Sequence, residues 1–333
     1  KPEQLRTAHL QALACPALIV QGERDPFGSR AEVEAMQLSG AIEVHWVGDG
    51  DHDLGPRGAS GFTRKGNLAA AADTIAAFAG RPFHEVATEV ISRFAGGSIA
   101  KKDLARMAEE AYASFGHPAV TPLVQIGPNR FILELFHGPT LAFKDVAMQL
   151  LARLMDHVLE KRGQRATIVG ATSGDTGGAA IEAFRTSKRV DVVILYPQGR
   201  VSDVQRRMMT TPTEPNVHAV AMDGTFDDCQ TLVKGMFNDH AFRDRVSLSG
   251  VNSINWARIV AQVTYYFVAA AALGAPHRPV SFAVPTGNFG DIFAGYVAKR
   301  MGLPIETLAI ASNANDILPR TLETGVYEMR DVQ

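Results

Sequence analysis

The chain has 333 residues, of which 46% are hydrophobic and 20% are charged, and its formal net charge is −2. This composition predicts two or more globular domains with sizeable cores, and the near-neutral charge argues against a nucleic-acid partner. No apolar stretch is long enough to span a membrane, so we expect no membrane partner. The two cysteines, Cys15 and Cys229, lie far apart in the sequence, which is typical of a reducing, cytoplasmic setting.

The first eighty residues alternate between strand-like and helix-like segments. We predict strands at 15–22 and 41–47, a helix at 31–38 and a closing helix at 67–79. This region resembles the C-terminal end of an α/β-hydrolase, in which Asp25 and His52 fall where the last two triad members would lie. No G-x-S-x-G elbow occurs in the chain, so we expect no acyl transfer from this pair. The acidic loop 49–53 is predicted to be solvated, and no metal site is predicted.

A domain boundary is predicted at residue 80, where an alanine-rich helix ends in glycine and a proline follows closely. Residues 1–80 would form one region and residues 81–333 another. In the second region, helices are predicted at 85–94 and 102–112 and a strand at 131–135. Further along, the alternation of strands 191–196 and 217–222 with helices 202–209 and 225–238 is typical of a mostly parallel, helix-covered sheet.

One lysine stands at the start of a strongly patterned helix. The segment 134–145 reads ELFHGPTLAFKD, and apolar residues recur at helical spacing from Phe143 onward. Lys144 therefore lies in the first turn, where the partial positive charge of the helix N-terminus lowers the pKa of an amine. A neutral amine is what Schiff-base formation requires. The alternative is a surface lysine that extends away from the apolar face.

Two glycine-rich turns each connect a predicted strand to a predicted helix. Turn 173–178 (SGDTGG) follows strand 166–172 and precedes helix 179–185, whereas turn 286–291 (TGNFGD) follows strand 280–285 and precedes helix 292–301. Backbone N–H groups at such helix starts bind phosphate or carboxylate. Either turn alone is also compatible with a tight connection. Two anion-binding turns and a helix-start lysine together match the needs of an enzyme that uses pyridoxal 5′-phosphate.

Four motifs in order carry a family resemblance: HGPTLAFKD (137–145), ATSGDTGGAA (171–180), NSINWAR (252–258) and PTGNFGD (285–291). From about residue 81 onward the chain resembles the threonine synthases, which are pyridoxal-phosphate-dependent lyases with the tryptophan synthase β-subunit fold. The resemblance implies an α/β fold and conversion of the small phosphorylated amino acid O-phospho-L-homoserine, with water, to L-threonine and phosphate. It does not predict an oligomeric state.

The resemblance also implies a role for each motif. Lys144 would form the Schiff base with the cofactor and shuttle protons. The cofactor phosphate would be held by the turn residues Gly287, Asn288, Phe289, Gly290 and Asp291. The substrate carboxylate and the cofactor ring would face Thr172, Ser173, Gly174, Asp175 and Thr176, of which Asp175 is assigned to the cofactor. The substrate phosphate would be held by Asn252, Ser253 and Arg258; the alternative for Arg258 is a surface position on helix 255–272.

Two alternatives remain open at this point. One is another enzyme of the same fold, such as a serine/threonine dehydratase or a cysteine synthase, whose substrate would not require Arg258 for a phosphate. The other is an inactive fusion fragment, because threonine synthases continue beyond the point that corresponds to residue 333 and begin with a segment of their own. The fold is accordingly expected to be truncated at both ends and preceded by a partial α/β-hydrolase.

Overall fold

The computed structural model describes residues 11, 17–24, 29–40, 42–47, 49, 57, 80–252, 255–312 and 316–328. Near the N-terminus, strands β1 (Ala17–Gly22) and β2 (Ile42–Val47) pair in parallel, and helix α1 (Arg30–Ala35) connects them. The predicted strands and first helix are confirmed within these ranges. The predicted helix 67–79 and the pair Asp25 and His52 lie outside the described residues.

The prediction of a solvated loop at 49–53 is wrong for its first residue. Asp49 is only 6% exposed, and its carboxylate lies 2.9 Å from Arg24 and 2.6 Å from Arg57. A buried carboxylate requires such partners because removing it from water is otherwise unfavourable. These ion pairs hold the Asp49 carboxylate in place within the N-terminal region.

Two amphipathic helices and a hairpin precede the lysine helix. Helices α2 (Phe83–Ala95) and α3 (Lys101–Tyr112) confirm the two predicted helices, and each buries one apolar face. Strands β3 (Leu123–Gly127) and β4 (Arg130–Leu133) form an antiparallel hairpin, of which only the second strand was predicted.

The central part of the chain is a parallel sheet covered by helices. Its strands have the order β7-β6-β5-β8, and each adjacent pair is parallel, which confirms the predicted sheet type. The elements are α4 (Lys144–Arg162), β5 (Ala166–Ala171), α5 (Asp175–Phe184), β6 (Val190–Pro197), α6 (Asp203–Thr210), β7 (Val217–Met222), α7 (Phe226–Asn238), α8 (His240–Arg245) and β8 (Leu248–Ser249).

The last part of the described chain forms a second, smaller parallel pair. Strands β9 (Val280–Pro285) and β10 (Ile305–Ala311) pair in parallel, and helix α10 (Gly290–Arg300) connects them. The long helix α9 (Trp256–Ala272) precedes β9, and helix α11 (Ile317–Thr324) follows β10. The predicted bounds of β9 agree with the structure.

Helix α4 lies between the two main hydrophobic clusters. Val146, Ala147 and Leu150 belong to the cluster built on α2, α3, α9 and α10, whereas Met148 and Leu151 belong to the cluster beneath the central sheet. All eight residues from Asp145 to Ala152 are therefore buried, although the sequence pattern predicted a single apolar face. Each large apolar side chain in such a cluster contributes about 1.5–3 kcal/mol to folding.

Among the residues that the structure describes, no helix combines the length and the apolar character needed to cross a membrane.

Candidate active site

The turn before helix α4 is fastened to the helix by Asp145. The backbone N–H of Thr140 donates to Oδ2 of Asp145 at 2.7 Å, and the Thr140 hydroxyl donates to Oδ1 at 2.8 Å. Gly138 lies so close that an added Cβ would be 2.4 Å from the Cβ of Asp145. Burial raises the pKa of Asp145, while the Thr140 bonds act in the opposite direction. This arrangement fixes Lys144 as the first residue of the helix.

The Lys144 side chain is largely buried, with 17% of its surface exposed. Its Nζ lies 3.5 Å from Oδ2 of Asp175 and 4.7 Å from the centroid of the Phe143 ring. Burial lowers the pKa of Lys144; Asp175 and Asp145 raise it, and the positive charge of Arg258 lowers it further. The predicted direction is confirmed, but its main cause is desolvation rather than the helix N-terminus. The alternative of a surface lysine is wrong.

The first glycine-rich turn is organised by Thr172. The Thr172 hydroxyl oxygen accepts from the N–H of Gly174 at 3.0 Å and of Gly177 at 2.9 Å. The bond from Gly177 satisfies an N–H of the first turn of helix α5, which begins at Asp175 rather than at residue 179 as predicted; the N-cap residue is Gly174, which has no side chain. Thr172 is buried, whereas Ser173 is exposed and Thr176 is partly exposed. Both of these bonds use the Thr172 oxygen as the acceptor, so its hydroxyl proton can still be donated to a ligand.

Asp175 bridges the lysine to a residue that sequence reasoning missed. While Oδ2 faces Lys144, Oδ1 accepts from Nε2 of Gln205 at 2.6 Å. Asp175 is thus placed as an acceptor with both oxygens. The pattern Ser202-x-x-Gln205 at the start of α6 signals a capping box, but no sequence signal connects it to a residue 30 positions earlier.

Arg258 is buried on helix α9, so the alternative of a surface arginine is wrong. Its side chain is 1% exposed, and Nη1 donates to the carbonyl of Val251 at 2.9 Å. Its Nε has no hydrogen-bond partner within the described part of the chain. Burial lowers the pKa of Arg258 to about 10. Asn252, the second residue predicted in this motif, is exposed, and Ser253 lies outside the described residues.

Helix α10 begins at Gly290, within the second glycine-rich turn and two residues before the predicted start at 292. Phe289 precedes the helix without a side-chain cap. In the described ranges, no hydrogen bond uses the backbone N–H groups of residues 287–291 as donors. Gly287 and Asn288 are exposed, Phe289 is partly exposed and Gly290 is buried. The turn therefore offers several donors to an anion at a helix N-terminus.

The side chain of Asp291 faces helix α9 and is not available to an anion bound by this turn. Its Oδ1 accepts from the hydroxyls of Tyr265 and, at 3.1 Å, Tyr266, and Tyr266 also donates to its carbonyl at 3.0 Å. Burial raises the pKa of Asp291, and the tyrosine bonds lower it. The carboxylate thus connects α10 to α9, and only the backbone N–H of Asp291 is placed for an anion.

Three of the four motifs meet at Lys144. Asp175 of the second motif contacts its amine directly, and Arg258 of the third lies close enough to influence its pKa. The fourth motif is connected to Arg258 through helix α9, whose Tyr265 binds Asp291. A desolvated amine, a buried guanidinium with one unpartnered N–H and a turn of unused donors form a site suited to an anionic, aldehyde-bearing ligand.

A sequence profile described as "Pyridoxal-phosphate dependent enzyme" matches residues 115–333, about two thirds of the chain. The chain belongs to this family. Pyridoxal phosphate agrees with the cofactor predicted from the motifs, and the α/β fold agrees with the predicted class. A second profile, described as "Alpha/beta hydrolase domain", matches residues 1–80, so the N-terminal region is similar to that family.

Individual relatives narrow the similarity to threonine synthases. The threonine synthase of Pseudomonas aeruginosa is 57% identical over 77% of the chain, and that of Schizosaccharomyces pombe is 48% identical over the same share. A crystal structure of pyridoxal-phosphate-bound threonine synthase from Brucella melitensis is 68% identical over 79% of the chain, with a TM-score of 0.76. The chain covers 55%, 52% and 56% of these relatives, respectively, which is about half of their length.

Proposed function

We propose that this chain carries the active site of a threonine synthase, a pyridoxal-phosphate-dependent lyase that converts O-phospho-L-homoserine and water to L-threonine and phosphate. The observation that carries the proposal is that the largely buried Lys144 amine lies 3.5 Å from the Asp175 carboxylate and close enough to the buried Arg258 for its charge to lower the Lys144 pKa. Sequence identity of 57% and 48% to two threonine synthases supports the proposal. The small phosphorylated substrate is part of the proposal.

The residues present fit the cofactor. Lys144 supplies a desolvated amine for the cofactor aldehyde, and residues 287–291 supply backbone donors for the cofactor phosphate. When bound, pyridoxal phosphate supplies an electron sink for negative charge that develops on the substrate carbon. Lys144 would hold or move a proton at Nζ, and its lowered pKa favours the neutral amine for that task.

The phosphate group of the substrate favours this function over the alternatives in the same fold. Arg258 is a buried cation whose Nε lacks a partner in the described part of the chain. Such a group is unfavourable unless an anion completes its hydrogen bonds, and phosphate matches the planar guanidinium. A serine/threonine dehydratase or a cysteine synthase would act on a substrate without phosphate, and such a substrate would not supply an anion for the buried Arg258. We assign Asn252 and Ser253 to the same substrate group.

The remaining assignments belong to the same proposal. Thr172, Ser173, Gly174 and Thr176 would bind the substrate carboxylate; of these, Ser173 is the most accessible. Asp175 would face the cofactor ring as an acceptor. We further propose that residues 1–80 form a separate α/β-hydrolase-like region and that the protein works in the cytoplasm. The profile matches at 1–80 and 115–333 support the division.

Two measurements on the full chain test the proposal in sequence. Added pyridoxal phosphate is expected to produce the absorbance band of lysine-bound cofactor, and borohydride reduction should fix it onto the peptide that contains Lys144. The Lys144→Met variant serves as the control and should show neither. Phosphate release from O-phospho-L-homoserine, with threonine as the co-product, then separates threonine synthase from the other enzymes of the fold.

The outcomes are distinct. A missing band would favour the inactive-fragment alternative. A band without phosphate release would favour a β-eliminating or β-replacing enzyme.

A further inference from the structure

The amide of Gln205 has a fixed orientation. Its Oε1 accepts from the backbone N–H of Ser202 at 3.2 Å and from the Ser202 hydroxyl at 3.0 Å. With the carbonyl end occupied by two donors, the NH₂ end must point the other way, and it donates to Oδ1 of Asp175 at 2.6 Å. The capping box of helix α6 therefore also determines which end of the amide faces the active site.

The backbone of the first glycine-rich turn is shaped around this amide. Gly174 has φ +149° and ψ −89°, a conformation that L side chains rarely adopt. A Cβ at this position would lie 2.3–2.4 Å from the terminal carbon, nitrogen and oxygen of Gln205. The backbone of Gly174 therefore packs directly against the Gln205 amide. Because Asp175 follows Gly174, this packing places the Asp175 side chain next to the same amide.

Asp175 divides its two oxygens between Gln205 and Lys144. Oδ1 is held by the amide, which leaves Oδ2 at 3.5 Å from Nζ. The Asp175 side chain is about half exposed, so water competes with Lys144 for its carboxylate. Without the amide, the carboxylate would gain hydration by turning into solvent, and Lys144 would lose its nearest negative charge.

We propose that Gln205 is a positioning residue that aims the Asp175 carboxylate at Lys144 and thereby sets the protonation state of the reactive amine. The proposal rests on the function proposed above for Lys144. The charged groups that influence the amine are Asp175 and Asp145, which favour its charged form, and Arg258, which opposes it. Gln205 is neutral and acts on the amine only through Asp175.

The proposal is tested by the rate at which Lys144 is acylated by acetic anhydride in the full chain freed of cofactor. Only the neutral amine reacts, so the pH dependence of the rate reports the protonation of Lys144. The exposed Lys234 is the internal reference, and modified peptides are quantified by mass spectrometry. The variant is Gln205→Met, which keeps the length of the side chain and removes the donor.

In Gln205→Met, the pH profile of Lys144 acylation should move to lower pH. Below the plateau of that profile, the acylation rate should rise about two- to fivefold, which corresponds to the loss of one ion pair with a half-exposed partner. Ser202→Ala is the matched control, because it weakens the same helix cap but leaves the backbone donor to Oε1 and the Nε2 bond to Asp175. Its profile should coincide with that of the unmodified chain, although both variants lower the melting temperature.

Two outcomes would overturn the proposal. One is an unchanged Lys144 profile in Gln205→Met, and the other is an equal displacement in Ser202→Ala, which would indicate a general loosening of helix α6. The proposed function is checked separately, because pyridoxal phosphate should protect Lys144 from acylation in the unmodified chain. Absence of that protection contradicts the cofactor role without altering the comparison between variants.

Discussion

Replacing Arg258 with methionine should preserve or raise the stability of the fold and lower its affinity for phosphate. Burial lowers the pKa of Arg258 from the usual 12.5 to about 10, which corresponds to about 3 kcal/mol against the charged form. The guanidinium is charged in both folded and unfolded chains at neutral pH, so the folded state carries this whole penalty there. Loss of the hydrogen bond from the charged guanidinium to the Val251 carbonyl costs about 1.5–3 kcal/mol in the other direction.

The Arg258→Met variant is therefore expected to be as stable as the unmodified chain or more stable by up to about 1.5 kcal/mol, which raises the melting temperature by up to about 4 °C. Its affinity for phosphate should fall, since a hydrogen bond to a charged group contributes about 1.5–3 kcal/mol, equivalent to about 10- to 150-fold in KM for the phosphorylated substrate. Circular dichroism of the cofactor-loaded chain, with and without excess inorganic phosphate, measures both effects. Phosphate should raise the melting temperature of the unmodified chain but not of the variant.

Arg153→Met provides the matched control on helix α4. Arg153 is also partly desolvated, but it donates to the Gln149 carbonyl at 2.7 Å and lies 4.0 Å from Glu110. Its replacement should not stabilise the fold and should leave protection by phosphate intact. If Arg258→Met instead loses several degrees and is still protected by phosphate, the interpretation of Arg258 as an unpaired anion ligand is refuted.

Two further variants test the packing around the site. Gly138→Ala places a Cβ 2.5 Å from Oδ2 of Asp145, so the free energy of unfolding in urea should fall by about 1–3 kcal/mol. Asp291→Asn removes a carboxylate whose pKa is raised by burial and whose Oδ1 accepts from the hydroxyls of two tyrosines. The folded state of the unmodified chain disfavours ionisation of Asp291, so its stability relative to Asp291→Asn should fall as pH rises from the ordinary aspartate pKa through the raised value. Thermal unfolding across that pH range measures the difference.

Each of these variants has a control in the same chain. Gly235→Ala adds a Cβ with no atom within 4 Å inside a helix, so it should be neutral or slightly stabilising. Asp228 has its pKa lowered by the Thr225 bonds, so Asp228→Asn should lose stability relative to the unmodified chain as pH rises through the lowered value. Equal losses in the two glycine variants, or the same pH trend in the two aspartate variants, would contradict the explanation.

Most of the regular structure was predictable because its signals are local. The apolar periodicity after Phe143 determines the start of α4 within one residue, and the short apolar strand before Thr286 determines both ends of β9. Strand β3 was missed because its central residues are exposed, so it lacks the alternation of a half-buried strand. Helix α5 begins four residues earlier than predicted, because its first turn contains glycines and one of its N–H groups is satisfied by the Thr172 hydroxyl from outside the helix.

In the candidate site, too, features that depend on local sequence were predictable and features that depend on tertiary contacts were not. Lys144 could be singled out from its helix start, but the cause of its lowered pKa could not, because desolvation depends on residues distant in the sequence. The contact between Gln205 and Asp175 was missed for the same reason, since it spans 30 positions. The inward turn of Asp291 depends on two tyrosines of a different helix. Sequence patterns identify which groups are present, whereas tertiary packing determines what each one faces.

The shared position of helix α4 has a consequence for evolution of this site. Its first turns pack simultaneously against both hydrophobic clusters, so neither side can be rebuilt without moving the residue that opens the helix. Loop exchanges that alter ligand preference are therefore tolerable only where they leave both packed faces of α4 in place. The Lys144 amine therefore keeps one position relative to both clusters, and we expect differences in ligand preference to arise in the turns at 173–178 and 286–291.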